Sequence, residues 1–314
     1  MVTPEIVAIG ELIVEIMRQR VGRTLYEPDD FIGPFPSGAP AIFADQAARL
    51  GHSAGFIGAV GQDDFGKCCL DRFAADGVDS SHIAQVEGVA TGVAFVGYFA
   101  DGSRRFIFHI GNSAAGCVPT PEAAYFSQAR WLHICGSSLS AGERMREACY
   151  EAARLAVAAG AQISFDPNLR PELLGGEEAL RRVCGPVLEV ASLVLPSGAE
   201  AETLTGQPGA EAACRALLDG GAQHVALKRG AAGCTIMTAD DSIDVPGFPV
   251  EAVDPTGAGD CFDAGFVVGL TEGLDLYEVG RLANACGALG ATKQGPMEGA
   301  MFRAEVEPFM RTSR

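Results

Sequence analysis

The chain has 314 residues, 48% of them hydrophobic and 40 of them glycine, enough for one large α/β domain or two smaller ones. Asp plus Glu number 40 against 23 Lys plus Arg, a formal net charge of −17; without a basic block, this argues against nucleic acid or an anionic membrane as partner. Such a chain also repels free nucleotide, so a phosphate site has to be built locally from amides, a few cations and Mg2+.

The ten cysteines are scattered without a C-x-x-C pair, which fits reduced, mostly buried thiols in a cytoplasmic protein. No basic-then-apolar leader opens the sequence and no apolar run spans a bilayer. Histidines 52, 82, 109, 133 and 224 form no helical pair with metal-ligand spacing, so structural or surface roles are expected of them.

In chain order, residues 6–10 (IVAIG) read as a buried parallel strand ending in glycine. Glu11 and Glu15 follow it, beyond the C-terminal end of a strand, where open α/β sheets bind ligands. Glu15 reads equally as an exposed residue of an alternating strand. Residues 33–51 begin as a loop punctuated by proline and glycine and continue as a helix over 41–50 that Gly51 stops. Residues 61–68 (GQDDFGKC) nearly match a P-loop, but Asp63 and Asp64 would aim negative charge into the phosphate cradle and Cys68 replaces the hydroxyl that binds Mg2+. Residues 91–112 read as two strands joined by Asp101-Gly102, a strong hairpin signal. With residues 24–32 they are expected to form a small sheet projecting from the main body, its aromatics Phe95, Phe106 and Phe108 closing a site or filling an interface.

Residues 131–136 and 162–165 are further buried strands, separated by an alanine-rich helix over 143–159, and this alternation predicts a mostly parallel sheet. Strand 225–228 runs into a glycine turn. Last comes VDPTGAGDCFDAGFVVGL (253–270), read as a tight turn feeding a buried helix, with Phe262, Phe266, Val267 and Leu270 at helical spacing. A helix N-terminus there presents free amides and a positive dipole to an anion. Asp260 among those amides suits phosphoryl transfer, taking the proton of an attacking hydroxyl; equally, it is an ordinary helix cap.

DPTGAGD resembles the C-terminal motif of the ribokinase-like (PfkB) sugar kinases, usually D-T-x-G-A-G-D, and matches in family order extend from Gly10 to about Gly295. The resemblance implies a ribokinase-like α/β fold over residues 1–314: a central, mostly parallel sheet flanked by helices, with lid strands inserted at about 22–35 and 90–112. It implies Asp260 as catalytic base, an anion hole of Gly257, Ala258 and Gly259, and a monovalent cation, K+, near Asp254 and Thr256. Glu15 stands where the family's G-E-x-x-x-D places a sugar-binding carboxylate. In the family's G-G-A-P-A-N motif Gly38 is kept, while Ser37 and Ile42 replace the first Gly and the sugar-binding Asn. Arg170 matches D-x-N-x-R near the sugar or phosphate, or else pairs with Asp166. Glu200 matches the Glu that organises Mg2+ through water, with Ser197 in place of the usual Asn. Lys228, Gly230, Gly233 and Asn284 align with nucleotide-binding positions, and Phe108 belongs to the lid over the sugar.

The stretch 33–43 resembles the tagatose kinase branch, neighbour of the 2-keto-3-deoxygluconate kinases. Those keto-acid kinases carry an arginine where Ile110 stands, which favours an uncharged ketose. The implied activity is ATP-dependent phosphorylation of a ketohexose's primary hydroxyl by a homodimer joined through the lid. The alternatives are a 2-keto-3-deoxygluconate kinase, a fructokinase-like enzyme, or a sugar-responsive binding protein without turnover.

Overall fold

A computed structural model describes residues 3–101, 103–170 and 174–312. Among these residues, the main sheet takes β1 (Ile6–Ile9), β4 (Ala54–Gly61), β5 (Asp79–Val86), β8 (Trp131–Cys135), β9 (Gln162–Asp166), β10 (Leu193–Val194), β11 (His224–Lys228), β12 (Cys234–Met237) and β13 (Ser242–Val245). Their order is β13-β12-β11-β10-β9-β8-β1-β4-β5. The strands from β11 through β5 pair in parallel, and at one edge β12 is reversed, pairing antiparallel with both β11 and β13. A second sheet, β3-β2-β6-β7, is built from β2 (Ile13–Arg18), β3 (Phe31–Ser37), β6 (Gly92–Tyr98) and β7 (Arg104–His109).

The helices are α1 (Ala39–Arg49), α2 (Asp64–Asp76), α3 (Gly136–Ser140), α4 (Glu143–Ala158), α5 (Glu177–Leu188), α6 (Glu200–Thr205), α7 (Ala210–Asp219), α8 (Ala258–Thr271), α9 (Leu276–Gly290) and α10 (Arg303–Thr312). They cover both faces of the main sheet. Side chains of a strand alternate between faces, and β1 divides accordingly: Ile6 and Ala8 join the core built with α1, α8 and α9, while Val7 and Ile9 join that of α4, α5 and α7. A strand buried on both faces has to be apolar throughout, and IVAI is.

The expected ribokinase-like layout is present, with one displacement. The lid strand expected within 22–35 starts at Phe31, and an unforeseen strand, β2, carries Glu15 into the small sheet. Residues 19–30 loop instead because the buried Arg18 guanidinium collects the carbonyls of Thr24 and Glu27. The β6–β7 pairing forms as expected; Gly102, of the expected Asp101-Gly102 connection, lies outside the described residues. Rejection of the P-loop holds. Asp63 caps α2 through the Gly66 amide at 2.8 Å, and its carboxylate also accepts from Thr91 N and Oγ1, so no phosphate cradle opens there.

Eight of the ten cysteines are buried, and the histidines take structural or surface roles, His52 pairing with Glu5 and Glu272. His133 is fully buried, stacks on Phe43 at 3.8 Å and bonds Ser164 Oγ at 3.0 Å; burial pushes its pKa down to about 3, so the ring stays neutral. All ten cysteines are free thiols. Among the described residues no helix is long and apolar enough to cross a membrane.

One polar cluster ties α1 and α2 to the loop behind the Gly257 turn. Arg72 on α2 meets both oxygens of fully buried Asp45 on α1, at 3.1 and 2.9 Å, and donates to the Met297 carbonyl. Losing Arg72 leaves buried Asp45 with Arg49 alone, 3.5 Å away, as a cationic partner, and losing one partner of a buried pair is costly. Arg72→Ala should therefore destabilise the fold by about 3–5 kcal/mol, measured by urea denaturation; a loss below about 1 kcal/mol, the range of a surface pair, would place this cluster outside the core.

Candidate active site

A cleft of about 600 Å³ opens where the main sheet, the small sheet and the N-terminus of α8 meet. Its lining includes Glu11, Glu15, Gly38, Arg104, Phe106, Phe108, Asp166, Arg170, Ser197, Glu200, Lys228, Gly230 and the segment 255–260. Almost the whole set of expected site residues thus converges on one cavity from strand ends far apart in sequence.

The floor is the turn before α8. Gly257 is the N-cap residue with φ 83°, and no side chain caps the helix. A Cβ there would stand 2.2 Å from the Pro296 carbonyl oxygen, so both the left-handed conformation and the close approach demand glycine. The first amides of a helix have no partner within it; here the Ala258 amide reaches back to the Pro255 carbonyl at 3.3 Å, and residues 255–260 line the cleft, where an anion can satisfy the amides left over. Asp260 is in this first turn, 8% exposed. It is no helix cap, because its carboxylate takes part in none of the hydrogen bonds among the described residues and faces the cavity. Burial pushes its pKa well up, and Asp166 adds to this, while Lys228 and Arg170 pull it back. Raised affinity for a proton suits a base that takes one from an alcohol.

Beside it, Lys228 Nζ lies 3.2 Å from Asp166 and 3.0 Å from Asp263. Burial opposes ionisation of Asp166, but the ammonium overrides it and holds that carboxyl below its usual range. Asp263 is pushed well up by burial, which Lys228 only partly offsets. The pairing of Asp166 with Lys228 frees Arg170, whose Nη1 donates to the Leu169 carbonyl at 3.1 Å while the side chain lines the cleft. The alternative salt bridge from Arg170 to Asp166 is not formed.

On the sugar side, Glu15 is 5% exposed rather than on a solvent face. Ser37 Oγ donates to its Oε1 at 2.7 Å, and its Oε2 is buried without a hydrogen-bond partner. An unmet buried acceptor is costly, and a ligand hydroxyl would relieve it. Burial raises the Glu15 pKa to about 7, and nearby Asp254 adds to the rise. Glu11 is likewise buried, accepting from Ser137 and Ser138 Oγ at 2.8 and 2.6 Å. At Gly38, φ 114°, a Cβ would meet the Glu11 carbonyl oxygen at 2.2 Å, so the backbone itself can come close there.

On the opposite side, Glu200 accepts from Ser197 N and Oγ at 2.7 Å and from Leu169 N at 2.9 Å. A carboxylate held this way at the cleft edge suits a hydrated hard cation. Asp254 Oδ1 accepts from Thr256 N at 3.0 Å, and Oδ2 from Gly295 N at 3.1 Å and Tyr98 OH at 2.9 Å. Gly233 and Asn284 lie outside the cleft lining. Gly233 fits tightly under the Val245 carbonyl, and Asn284 Nδ2 donates to the carbonyls of Val245 and Pro246 at 3.1 Å each. Both shape the segment after β13 rather than face the cavity.

Sequence reasoning missed Tyr98 and Arg104. The signal was alternation along β7, where Arg104, Phe106, Phe108 and Ile110 share the cavity-facing side.

Residues 4–301 match the family model described as pfkB family carbohydrate kinase. A fructokinase from Escherichia coli is 32% identical over 306 residues, 95% of this chain and 97% of that protein. Among solved structures, an E. coli protein named as a candidate ribokinase II, in complex with ATP and Mg2+, superposes with TM-score 0.92 at 40% identity, covering 98% of this chain and 99% of that one. A double-mutant fructokinase from Vibrio cholerae O395, bound to fructose, ADP and potassium ion, gives TM-score 0.84 at 28% identity, covering 99% and 100%. With a helix start that no side chain caps opening onto the cleft beside Asp260 and a family match over nearly the whole chain, the conclusion is direct: this chain belongs to the pfkB family of carbohydrate kinases and is an ATP-dependent carbohydrate kinase.

Proposed function

We propose that the enzyme phosphorylates the primary hydroxyl of an uncharged ketohexose, fructose or tagatose, with Asp260 as general base. The observation that carries this is Asp260 in an otherwise amide-lined turn, facing a cleft whose far wall holds the unmet Glu15 oxygen. The sugar lies between Glu15, Gly38, Phe108 and Arg170. The amides of Gly257, Ala258 and Gly259 hold the transferring phosphoryl group. Ser197, Lys228 and Gly230 border the ATP phosphates, while Gly233 and Asn284 set the loop on the nucleotide side. Mg2+ supplies charge neutralisation for those phosphates, and Glu200 holds it through water. K+ belongs to the reading at Asp254 and Thr256. The V. cholerae relative's fructose and potassium ion support the substrate class and this ion. Ile110, apolar and cavity-lining, favours a neutral sugar over 2-keto-3-deoxygluconate.

The outer face of the small sheet supports a homodimer. Phe31, 40% exposed, and Ile107, 47% exposed, flank Phe95, which meets Phe31 edge-on at 6.0 Å. Such a face is better covered than solvated.

A panel of fructose, tagatose and 2-keto-3-deoxygluconate, assayed for ADP release with wild type and Asp260→Asn, tests the main reading. Turnover of a ketose is expected, lowered on the order of 10²–10⁴-fold in the variant with sugar binding kept. Turnover of the keto acid alone would overturn the substrate class, and near-normal turnover in the variant would remove Asp260 from the mechanism; ATP turnover that no sugar stimulates would favour the sugar-responsive binding protein.

The raised carboxyls give a pH dependence. Glu15 and Asp260 both act ionised, and both are shifted upward, so activity is lost as pH falls. The sugar KM should improve as pH rises through about 7, where Glu15 ionises. Glu15→Gln should weaken sugar binding and abolish that trend, leaving the kcat profile to Asp260; a KM profile identical in the variant would exclude Glu15 as the sugar's acceptor.

Light scattering on Ile107→Glu should report a monomer where wild type is a dimer. A monomeric wild type, or a variant that stays dimeric, would move the interface elsewhere.

A further inference from the structure

The hairpin of the small sheet ends on the phosphate turn. Tyr98 on β6 pairs directly with Arg104 on β7. Directly opposed residues of an antiparallel pair project to the same face, and Phe106 and Phe108 continue that face along the cavity. Tyr98 OH donates to Asp254 Oδ2 at 2.9 Å and lies 3.4 Å from Thr256 Oγ1, to which Arg104 Nη1 donates at 2.9 Å. The Asp254 carboxylate in turn holds the Thr256 amide at 3.0 Å, and Gly257 follows at once in sequence. Among the described residues no carboxylate lies within ion-pairing distance of Arg104. Its charge therefore stands at the rim of an anion site and its hydrogen bond goes to a neutral hydroxyl.

We propose that Tyr98 and Arg104 are positioning residues for phosphoryl transfer, acting as a latch by which the seated lid holds the turn 254–257, and with it the amides of Gly257 and Gly259, in the geometry that receives the phosphoryl group. The inference rests on the kinase reading above. Sugar lying against Phe108 and Glu15 holds the small sheet down, and the two hydrogen-bonded side chains carry that state to the anion hole. ATP alone then meets a loosely held turn, and acceptor binding completes it, a specificity gained through closure.

Two measurements test this. In the first, amide hydrogen exchange of the segment 254–260 is followed with and without the accepted ketose, nucleotide being absent. Sugar should slow exchange in wild type and have little effect in Arg104→Ala or Tyr98→Phe; equal protection in all three, or none in wild type, overturns the latch. In the second, kcat and both KM values are compared for Arg104→Ala, Tyr98→Phe, Thr256→Val and the Arg104→Ala/Thr256→Val double variant. Each single change should lower kcat about tenfold, the scale of one hydrogen bond lost from a positioned group, with sugar KM nearly unchanged. The double variant should fall no further than the worse single one, because both remove the same contact, and Arg104→Lys should recover part of the loss. Additive losses, or an effect confined to sugar KM, would make Arg104 an ordinary sugar contact. Failure of the kinase reading looks different: wild type would turn over no sugar at all.

Discussion

The start of α8, which opens onto the cleft while the rest of the helix is buried, is the constraint to which the rest of the site answers. A helix with eleven of its fourteen residues buried still has unpaired amides at its N-terminus, and in a protein interior those groups need an acceptor. Capping by a side chain is the usual solution, and this helix has none. The turn instead opens onto a cleft, and Gly257 keeps side chains out of the way. A site that waits for an anion is the physical result. The neighbouring carboxylate of Asp260 shares that crowded place, and burial raises its affinity for a proton.

Charge around that turn is balanced with few cations. Five carboxylates, of Glu11, Glu15, Asp166, Glu200 and Asp260, line the cleft against Arg104, Arg170 and Lys228. Lys228 is already shared between Asp166 and Asp263. On a chain of net charge −17, nucleotide phosphates gain little from the surroundings at long range. On the proposed reading, their binding rests on amide dipoles at contact distance and on a divalent cation brought with them. This is why hydroxyl and amide donors to the carboxylates, such as Ser137, Ser138 and Ser197, matter: they keep the acids in place without spending a positive charge.

Much of this was legible in the residues. The apolar strands, the alanine-rich helix and the DPTGAGD turn each carry local signals strong enough to place them; the strand-end rule pointed to Glu11 and Glu15, and the family resemblance to Asp166 and Glu200. What could not be read was set by distant partners. Segment 13–18 looks like any apolar stretch; only its pairing with both β3 and β6 makes it the centre of the small sheet. Arg170 had a plausible acid four residues away, but Lys228, from a strand beyond, claims that acid instead. Asn284 resembled a ligand contact, yet the carbonyls of Val245 and Pro246 take its amide. Tyr98 and Arg104 gain their meaning from residues more than 150 positions later.

The parallel pairing of β2 with β6 has a consequence for how such an enzyme changes its diet. β2 leaves β1 after only Gly10, Glu11 and Leu12, so the covering sheet is a direct outgrowth of the central strand and carries Glu15 with it. Glu15 and Phe108, two of the groups proposed to hold the sugar, thus ride on this sheet, while Gly38, Arg170 and Asp260 belong to the main body. On the proposed reading, divergence toward a new acceptor can begin in that small sheet without disturbing the turn before α8.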